Sequence, residues 1–156
     1  MKISKLVIHH SAGDHGSAAQ FRELHRSWGW SDIGYHYVID NDPDGVIQPG
    51  RDIYTPGAQA KGHNTTSLGI CLVGDGAPPV TPRQVESLVD LLASLCLVLR
   101  LDPETAVVGH RDLCATDCPG DDLYGRLPVI RAGVARRLRE MRWDPSGALT
   151  QGEDTV

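Results

Sequence analysis

The stretch Leu68-Gly69-Ile70-Cys71-Leu72-Val73-Gly74 is almost entirely apolar and carries no charged residue. A short apolar run of this kind is typical of a β-strand that is buried on both faces. Such a strand lies at the centre of a sheet and needs further elements packed above and below it. The segments on either side of this strand therefore decide the fold class.

Two other segments have the pattern of single strands. Residues 3–11 contain the apolar run Leu6-Val7-Ile8 and reach His9-His10 near their end. Residues 106–108 form a short apolar run that leads directly to His110. We expect this second run to be a buried strand that delivers His110 to a loop, which is where chemistry usually takes place.

A third region has the pattern of a β-hairpin. Residues 34–39 and 46–48 are strand-like, and the segment between them, 41–45, is rich in turn-forming Asn, Asp, Pro and Gly. Alternation along residues 34–39 places Tyr35 and Tyr37 on one face and His36 on the other.

Three segments have the 3.6-residue periodicity of amphipathic helices. The first begins at Ser17, which forms a capping-box pattern with Gln20, and ends at Gly29. The second and longest begins at Thr81-Pro82-Arg83-Gln84, and the third begins near Pro128. Their apolar stripes comprise Phe21, Leu24 and Trp28 in the first, Val85, Leu88, Leu92, Leu95 and Leu99 in the second, and Ile130, Val134, Leu138 and Met141 in the third.

Strands that alternate with helices predict an α/β or α+β domain, with one central mixed β-sheet flanked by about three helices. A chain of 156 residues fits a single domain with a real core. We place that domain at residues 1–142 and expect the polar, glycine-containing segment 143–156 to be a flexible tail. Cutting the chain after Arg142 should leave folding and catalysis intact.

Composition restricts the function classes. The formal net charge of −5 argues against nucleic acid as the main partner, because phosphate binding needs a basic field. Residues 1–6 lack the apolar core of a secretory signal, and the run from Leu91 to Leu99 is too short to span a bilayer. A chain made without a leader meets a reducing cytosol, so we expect Cys71 and Cys96, which lie in apolar patterns, to be core thiols.

The stretch most suggestive of chemistry is Val108-Gly109-His110-Arg111-Asp112-Leu113-Cys114-Ala115-Thr116-Asp117-Cys118-Pro119-Gly120. Imidazole and thiolate together suit zinc. With a histidine from residues 3–11, the candidate ligands are His9 or His10, His110, and Cys114 or Cys118. Three protein ligands and one water form a catalytic zinc site, which points to hydrolysis of an amide or ester.

These residues also carry a family resemblance. The chain resembles the zinc-dependent N-acetylmuramoyl-L-alanine amidases, in particular phage lysozyme-amidases (endolysins), and the related peptidoglycan recognition proteins. The resemblance runs from about residue 5 to about residue 128, in the family's order and spacing. The matching segments are Val7-Ile8-His9-His10-Ser11-Ala12, Gly34-Tyr35-His36-Tyr37, Ala60-Lys61-Gly62-His63-Asn64, residues 67–74, Gly109-His110-Arg111-Asp112 and Cys118-Pro119-Gly120.

The resemblance implies a peptidoglycan recognition protein-like fold and a role for each matching residue. It implies one zinc ion held by His9, His110 and Cys118, with Tyr35 as a catalytic residue. Thr116 falls where phage relatives often carry a catalytic lysine, so a neutral hydroxyl takes that position here. His63 and Asn64 match a segment that contacts the muramyl-peptide in relatives, which implies substrate binding. Cys114 has no counterpart in the family pattern.

The implied function is hydrolysis of the amide bond between the lactyl group of muramic acid and L-alanine in bacterial peptidoglycan. We expect a monomeric phage endolysin, made in the cytoplasm and acting on the wall after release, with no membrane insertion. A competing hypothesis is a recognition module that binds muropeptide without cleaving it, and such relatives typically lack the cysteine. The chain also fits a cytoplasmic wall-recycling amidase and, as in some phage relatives, a protein that binds RNA polymerase.

Overall fold

A computed structural model describes residues 1–141. The tail expected at 143–156 and the domain boundary at 142 lie outside the described residues. The chain forms β1 (Lys5–His10), α1 (Ala18–Ser27), β2 (Tyr37–Ile39), β3 (Ile47–Pro49), β4 (Ser67–Leu72), α2 (Pro82–Leu99), α3 (Pro103–Ala106), β5 (Val107–Gly109) and α4 (Asp121–Glu140). A short 3₁₀ turn, His110–Asp112, follows β5 directly.

The strands form one mixed sheet in the order β3-β2-β4-β1-β5. β4 lies at its centre, parallel to both β1 and β2, and every residue from Ser67 to Leu72 is buried. β1 also pairs in parallel with β5, while β2 and β3 form the antiparallel hairpin. The predicted central strand, hairpin and mixed sheet are therefore confirmed.

The two faces of the sheet bury different side chains. On one face Leu6, Ile8, Leu68, Ile70 and Leu72 pack against α2 and α4 in the main apolar core. The opposite face carries a small apolar cluster formed by Ala18, Ile33, Val38 and Val73. The polar residues of the candidate site lie on this second side.

The long helix α2 begins and ends as local chemistry predicts. Thr81 accepts a hydrogen bond from the N–H of Gln84, and the Gln84 side chain accepts from the N–H of Thr81, so both halves of the capping box are formed. Arg100 adopts a left-handed conformation with φ 55° and ends the helix before Pro103. Leu88, Leu92 and Cys96 face the core, which confirms the predicted stripe.

The prediction that the last helix begins near Pro128 is wrong. α4 begins at Asp121 and includes Pro128 in its interior, although proline removes one helical hydrogen bond. Asp121 and Asp122 favour the helix N-terminus electrostatically, and Leu123 and Leu127 are buried before the proline is reached. Tertiary burial therefore outweighs the local signal of the proline. Helix α3, a single turn, was not predicted.

One further expectation about side-chain placement is wrong. Tyr35 and Tyr37 do not share a face, because the regular strand begins only at Tyr37; Tyr37 packs on the main core and Tyr35 on the smaller cluster. Leu24 and Trp28 of the first apolar stripe are 45% and 58% exposed, and both line a cavity. The cap of α1 at Ser17 is formed as predicted.

Among the described residues, no helix is both long enough and apolar enough to cross a membrane. Cys71 and Cys96 are buried free thiols, as predicted.

Candidate active site

A cavity of about 560 Å³ opens where β1 and β5 end at their carboxyl termini. β1 brings His9 to this cavity, and β5 leads directly into the 3₁₀ turn that begins with His110. The loop after that turn contributes Thr116 and Cys118. Because β1 and β5 are parallel neighbours, their carboxyl ends meet although about a hundred residues separate them.

One group of side chains in the cavity has the arrangement of a metal site. One ligand atom each from His9, His110 and Cys118 lie within 4.8 Å of one another. Nδ1 of His9 is 3.6 Å from Sγ of Cys118. Tetrahedral zinc with nitrogen and sulfur bonds of ordinary length separates such a pair by about 3.5 Å, so these donors fit zinc. The donor types also suit zinc, since neutral imidazole and thiolate are common ligands of this ion.

His9 is held in the form that can bind a metal. Burial, together with the neighbouring charge of His110, lowers the pKa of His9 to about 3, so the imidazole is neutral at pH 7. Nε2 of His9 lies 2.6 Å from Oε1 of Gln59, which leaves Nδ1 facing the group. Burial also lowers the pKa of His110.

Arg111 fixes the loop that carries Cys118. The N–H of Arg111 donates to the carbonyl of Cys118 at 3.0 Å, and its guanidinium donates to Asp121 at 2.8 Å and to the carbonyl of Asp117. The same guanidinium lies 4.7 Å from the ring centroid of Tyr124. These contacts tie the beginning of the loop to its end and hold the backbone of Cys118 in place.

The surroundings of Cys118 change the pKa of its thiol in opposite directions. Burial raises its pKa to about 11, while a hydrogen bond from the backbone N–H of His10 and the charge of Arg111 oppose that rise. The sulfur is therefore protonated at pH 7 when no cation is beside it. Metal binding would release that proton.

His10 and Cys114, which the sequence left as candidate ligands, lie apart from the ligand group. His10 also lines the cavity, but its Nδ1 is buried without a hydrogen-bond partner among the described residues. Sγ of Cys114 is directed to the carbonyl of Lys61 at 3.8 Å. Neighbouring residues of a strand face opposite ways, so only one histidine of the pair joins the group.

Tyr35 and Thr116 are both in the cavity wall. Burial, with smaller contributions from Cys71 and Cys118, raises the pKa of Tyr35 far above its usual value, so the phenol stays protonated and can donate a hydrogen bond. The ring centroids of Tyr35 and His9 are 5.2 Å apart. Oγ1 of Thr116 accepts from the N–H of Cys118 at 3.2 Å, which leaves its own proton free to donate.

Aromatic side chains form part of the wall of the same cavity. His25 is buried, accepts a hydrogen bond from the N–H of Gly34 at 2.9 Å, and packs against the rings of Trp28 and Trp30, which also contact each other. Trp28 and Trp30 are partly exposed and give the cavity an apolar side.

His63 and Asn64 do not line this cavity. Oδ1 of Asn64 accepts hydrogen bonds from the backbone N–H groups of Gln59 and Ala60, both at 2.9 Å. The carbonyl of His63 accepts from Ser67 and Thr66. Their assignment to substrate binding stays a prediction.

Gln59 is the site residue that the sequence did not reveal. It lies in an irregular segment between β3 and β4, and its side chain contacts His9 and Ser67. A glutamine beside Pro56 and Gly57 looks like an ordinary loop residue. Its place in the cavity wall, its burial at 8% exposure and its contact with His9 mark it in the structure.

Over most of its length the chain is similar to one family of known proteins. The model of the family described as N-acetylmuramoyl-L-alanine amidase matches residues 1–121. An endolysin of Enterobacteria phage K11 is 35% identical over 131 residues, which cover 78% of this chain and 83% of the phage protein. The N-acetylmuramoyl-L-alanine amidase of Homo sapiens is 38% identical over 117 residues, 70% of this chain and 20% of the human protein.

The solved structure of N-acetylmuramoyl-L-alanine amidase LysC from Clostridium intestinale URNW superposes with a TM-score of 0.79. It is 30% identical in sequence, and the match covers 86% of this chain and 87% of LysC.

Proposed function

The chain belongs to the N-acetylmuramoyl-L-alanine amidase family, and on that premise we propose that it is a zinc-dependent hydrolase of peptidoglycan. The bond cleaved is the amide between the lactyl group of N-acetylmuramic acid and L-alanine. The reaction consumes water and yields a free lactyl carboxylate and a new L-alanine amino terminus.

One observation carries this proposal. Two histidines and a cysteine whose ligand atoms lie within 4.8 Å of one another share a cavity with a protonated tyrosine. Three protein ligands leave a fourth position for water or substrate, as in catalytic zinc sites. A module that only binds muropeptide has no use for this combination.

The ligands and the cavity prepare the site before substrate arrives. His9 and Cys118 are held by contacts with Gln59 and Arg111 respectively, so little reorganisation is needed when zinc binds. Bound zinc supplies a water of lowered pKa and an electrophile for the scissile carbonyl. The cavity is large enough for the lactyl group and the first residues of a peptide stem.

Tyr35 and Thr116 act on the oxygen of the scissile carbonyl. The phenol of Tyr35 and the hydroxyl of Thr116 are neutral donors in the wall of the same cavity. As the carbonyl carbon becomes tetrahedral, its oxygen gains negative charge, and both donors then bind it more strongly than in the ground state. Thr116 carries no charge, so it stabilises that oxygen less than an ammonium would.

The biological role that we propose is lysis of the bacterial cell wall by a phage endolysin. The support is the identity of 35% to 37% with endolysins of several phages over most of their length, 70% to 83%. This role requires that the protein acts on the wall after its synthesis in the host.

Digestion of purified sacculi tests the proposed reaction. The zinc-loaded protein should generate new L-alanine amino termini and no new reducing sugar ends, and a chelator should stop the reaction. New reducing ends would identify a glycosidase instead. Binding to sacculi with neither product would identify a recognition module and overturn the proposal.

A further inference from the structure

Beneath the ligand group, four polar groups form a continuous hydrogen-bonded chain. Nε2 of His9 lies 2.6 Å from Oε1 of Gln59, and Nε2 of Gln59 donates to Oγ of Ser67 at 2.8 Å. Oγ of Ser67 in turn donates to the carbonyl of His63 at 2.8 Å. His9, Gln59 and Ser67 are 1%, 8% and 0% exposed, so water cannot easily substitute for any of these bonds.

The last group of the chain fixes the direction of every bond in it. The carbonyl of His63 can only accept a hydrogen bond. Ser67 has a single hydroxyl proton, which it donates to that carbonyl, so its oxygen must accept from Gln59. The amide of Gln59 therefore presents its NH₂ to Ser67 and its oxygen to His9.

An amide oxygen also only accepts, so Nε2 of His9 must carry the imidazole proton. A neutral imidazole has one such proton, which leaves the lone pair of Nδ1 free. Nδ1 is the atom that lies 3.6 Å from Sγ of Cys118. The opposite tautomer would put a proton among the metal ligands and leave the oxygen of Gln59 buried without a donor, at a cost of about 1–3 kcal/mol.

We propose that Gln59 is a positioning residue that holds His9 in the one tautomer and ring orientation able to bind the metal. This inference rests on the zinc-dependent function proposed above. Nothing in the reaction requires Gln59 to touch the substrate, because it acts through the ring of His9.

The surrounding backbone is shaped to admit Gln59 at this place. The N–H of Gln59 donates to Oδ1 of Asn64 at 2.9 Å, which fixes where its side chain starts. The side chain then crosses β4 at Gly69, where a Cβ atom would lie 2.6 Å from Cγ of Gln59. Asn64 and Gly69 thus hold the backbone and leave the space that the contact between Gln59 and His9 needs.

Zinc affinity and the tautomer of His9 test the role of Gln59. Gln59→Met keeps the approximate size of the side chain but removes the acceptor, so zinc binding should weaken by about 10- to 100-fold, the usual effect of losing such a partner. Gln59→Glu keeps an acceptor for Nε2. The Ser67 hydroxyl can then turn to donate to the second carboxylate oxygen, since the carbonyl of His63 also accepts from Thr66, so this variant should bind zinc at least as tightly as the wild type. Zinc affinity is measured by competition with a chromophoric chelator.

Gln84 provides the matched control. It is also a buried glutamine, at 1% exposure, and its Nε2 donates to the carbonyl of Val73, but it lies on α2 away from the ligand group. Gln84→Met should lower the thermal midpoint of unfolding and leave zinc affinity unchanged. If Gln59 were merely structural, Gln59→Met would likewise lower the thermal midpoint of unfolding and leave zinc affinity unchanged. That result would overturn the proposal.

Nitrogen-15 NMR of the histidine rings in the metal-free protein gives a readout that needs neither zinc nor activity. His9 should carry its proton on Nε2 in the wild type and in Gln59→Glu, and should populate both tautomers in Gln59→Met. If Gln59→Met does not fold, Gln59→Glu decides: zinc binding more than about tenfold weaker than wild type would overturn the proposal.

Different results would contradict the proposed function and the proposed role of Gln59. A wild-type protein that has the Nε2 tautomer of His9 but neither binds zinc nor releases L-alanine termini would contradict the zinc amidase. The role of Gln59 as a positioning residue for metal would then fall with it. A wild type that binds zinc and cleaves peptidoglycan, while Gln59→Met has wild-type zinc affinity, would overturn the role of Gln59 alone.

Discussion

The two faces of the sheet bury different kinds of side chains. On the face covered by α2 and α4, β4 contributes Leu68, Ile70 and Leu72 to a continuous apolar core. On the other face the same strand contributes Ser67, Gly69 and Cys71, which neighbour Gln59 and His36 instead of a helix of leucines. One strand, fully buried throughout, therefore supports two different environments.

Buried polar groups on the second face are matched to partners. His36 accepts from the N–H of Gly69 at 3.0 Å and lies 3.0 Å from the carbonyl of Thr55. Arg51 donates to the carbonyls of Ile33, Pro56 and Asp32. Unpaired, such groups would cost about 1–3 kcal/mol each.

This contrast shows that one face of the sheet mainly provides stability, while the opposite face holds the groups that carry the chemistry. The apolar face gains free energy from burial without directional demands. The polar face gains little net stability from its hydrogen bonds but obtains fixed orientations for the groups that act. Substitutions on the two faces should therefore affect different measurements.

The largest effect is expected at the ligand group. Cys118→Ser removes one of three protein donors, and we expect loss of most zinc and most amidase activity with little change in the thermal stability of the metal-free protein. Zinc content by elemental analysis and release of L-alanine termini measure both effects. Cys114→Ser should keep zinc and activity; the reverse result for the two cysteines would show that the ligand assignment is wrong.

Tyr35→Phe should have the next largest effect. It removes one donor to the developing oxyanion, which typically slows turnover by about 100- to 1,000-fold, and zinc should stay bound because the phenol is not a ligand. Thr116→Val should slow turnover less. Digestion of sacculi by Tyr35→Phe at the wild-type rate would show that the tyrosine only packs against its neighbours.

On the apolar face the expected effect moves from activity to stability. Leu92→Ala leaves a cavity in the core and should lower the free energy of unfolding by about 2–5 kcal/mol, with turnover per folded molecule unchanged. Val98→Ala on the same helix is the control, since Val98 is 76% exposed and should change stability by no more than about 0.5 kcal/mol. Urea denaturation measures both. A large loss of turnover in Leu92→Ala below its unfolding transition would contradict the separation.

The last and smallest effect is expected from acid, which should lower the free energy of unfolding through a histidine on the polar face. Burial lowers the pKa of His36 below its value in the unfolded chain, so the unfolded state binds protons more readily as pH falls. The free energy of unfolding should therefore decrease below about pH 6.5, by at most about 1.4 kcal/mol per pH unit for this histidine. Urea denaturation at several pH values should show a shallower decrease in His36→Gln, and an identical slope would contradict this account.

Local patterns in the chain were sufficient for most of the fold. The caps at Ser17 and Thr81 and the apolar periodicity of α2 involve residues within a few positions of one another, so their physics is visible in the sequence. The apolar run at β4 likewise predicts its burial. Family resemblance added roles for Tyr35 and Thr116, and the structure brings both into the cavity wall.

Local patterns failed where distant contacts compete with them. Pro128 is a strong helix-start signal, but burial of Leu123 and Leu127 extends α4 past it toward its N-terminus. Leu24 and Trp28 have helical spacing, but no apolar element among the described residues covers them, and they line the cavity. Periodicity records which face of a helix is apolar and not what that face meets.

The sequence by itself determined the apolar strands, the capped helices and the residue types that suit zinc. Only the tertiary structure decided which of those residues meet. Spacing along the chain could not choose between His9 and His10 or between Cys114 and Cys118, because that choice depends on the register of β1 against β5 and on the path of the loop held by Arg111. It could not reveal Gln59 either, since a hydrogen bond across 50 residues is fixed by packing and leaves no periodic trace.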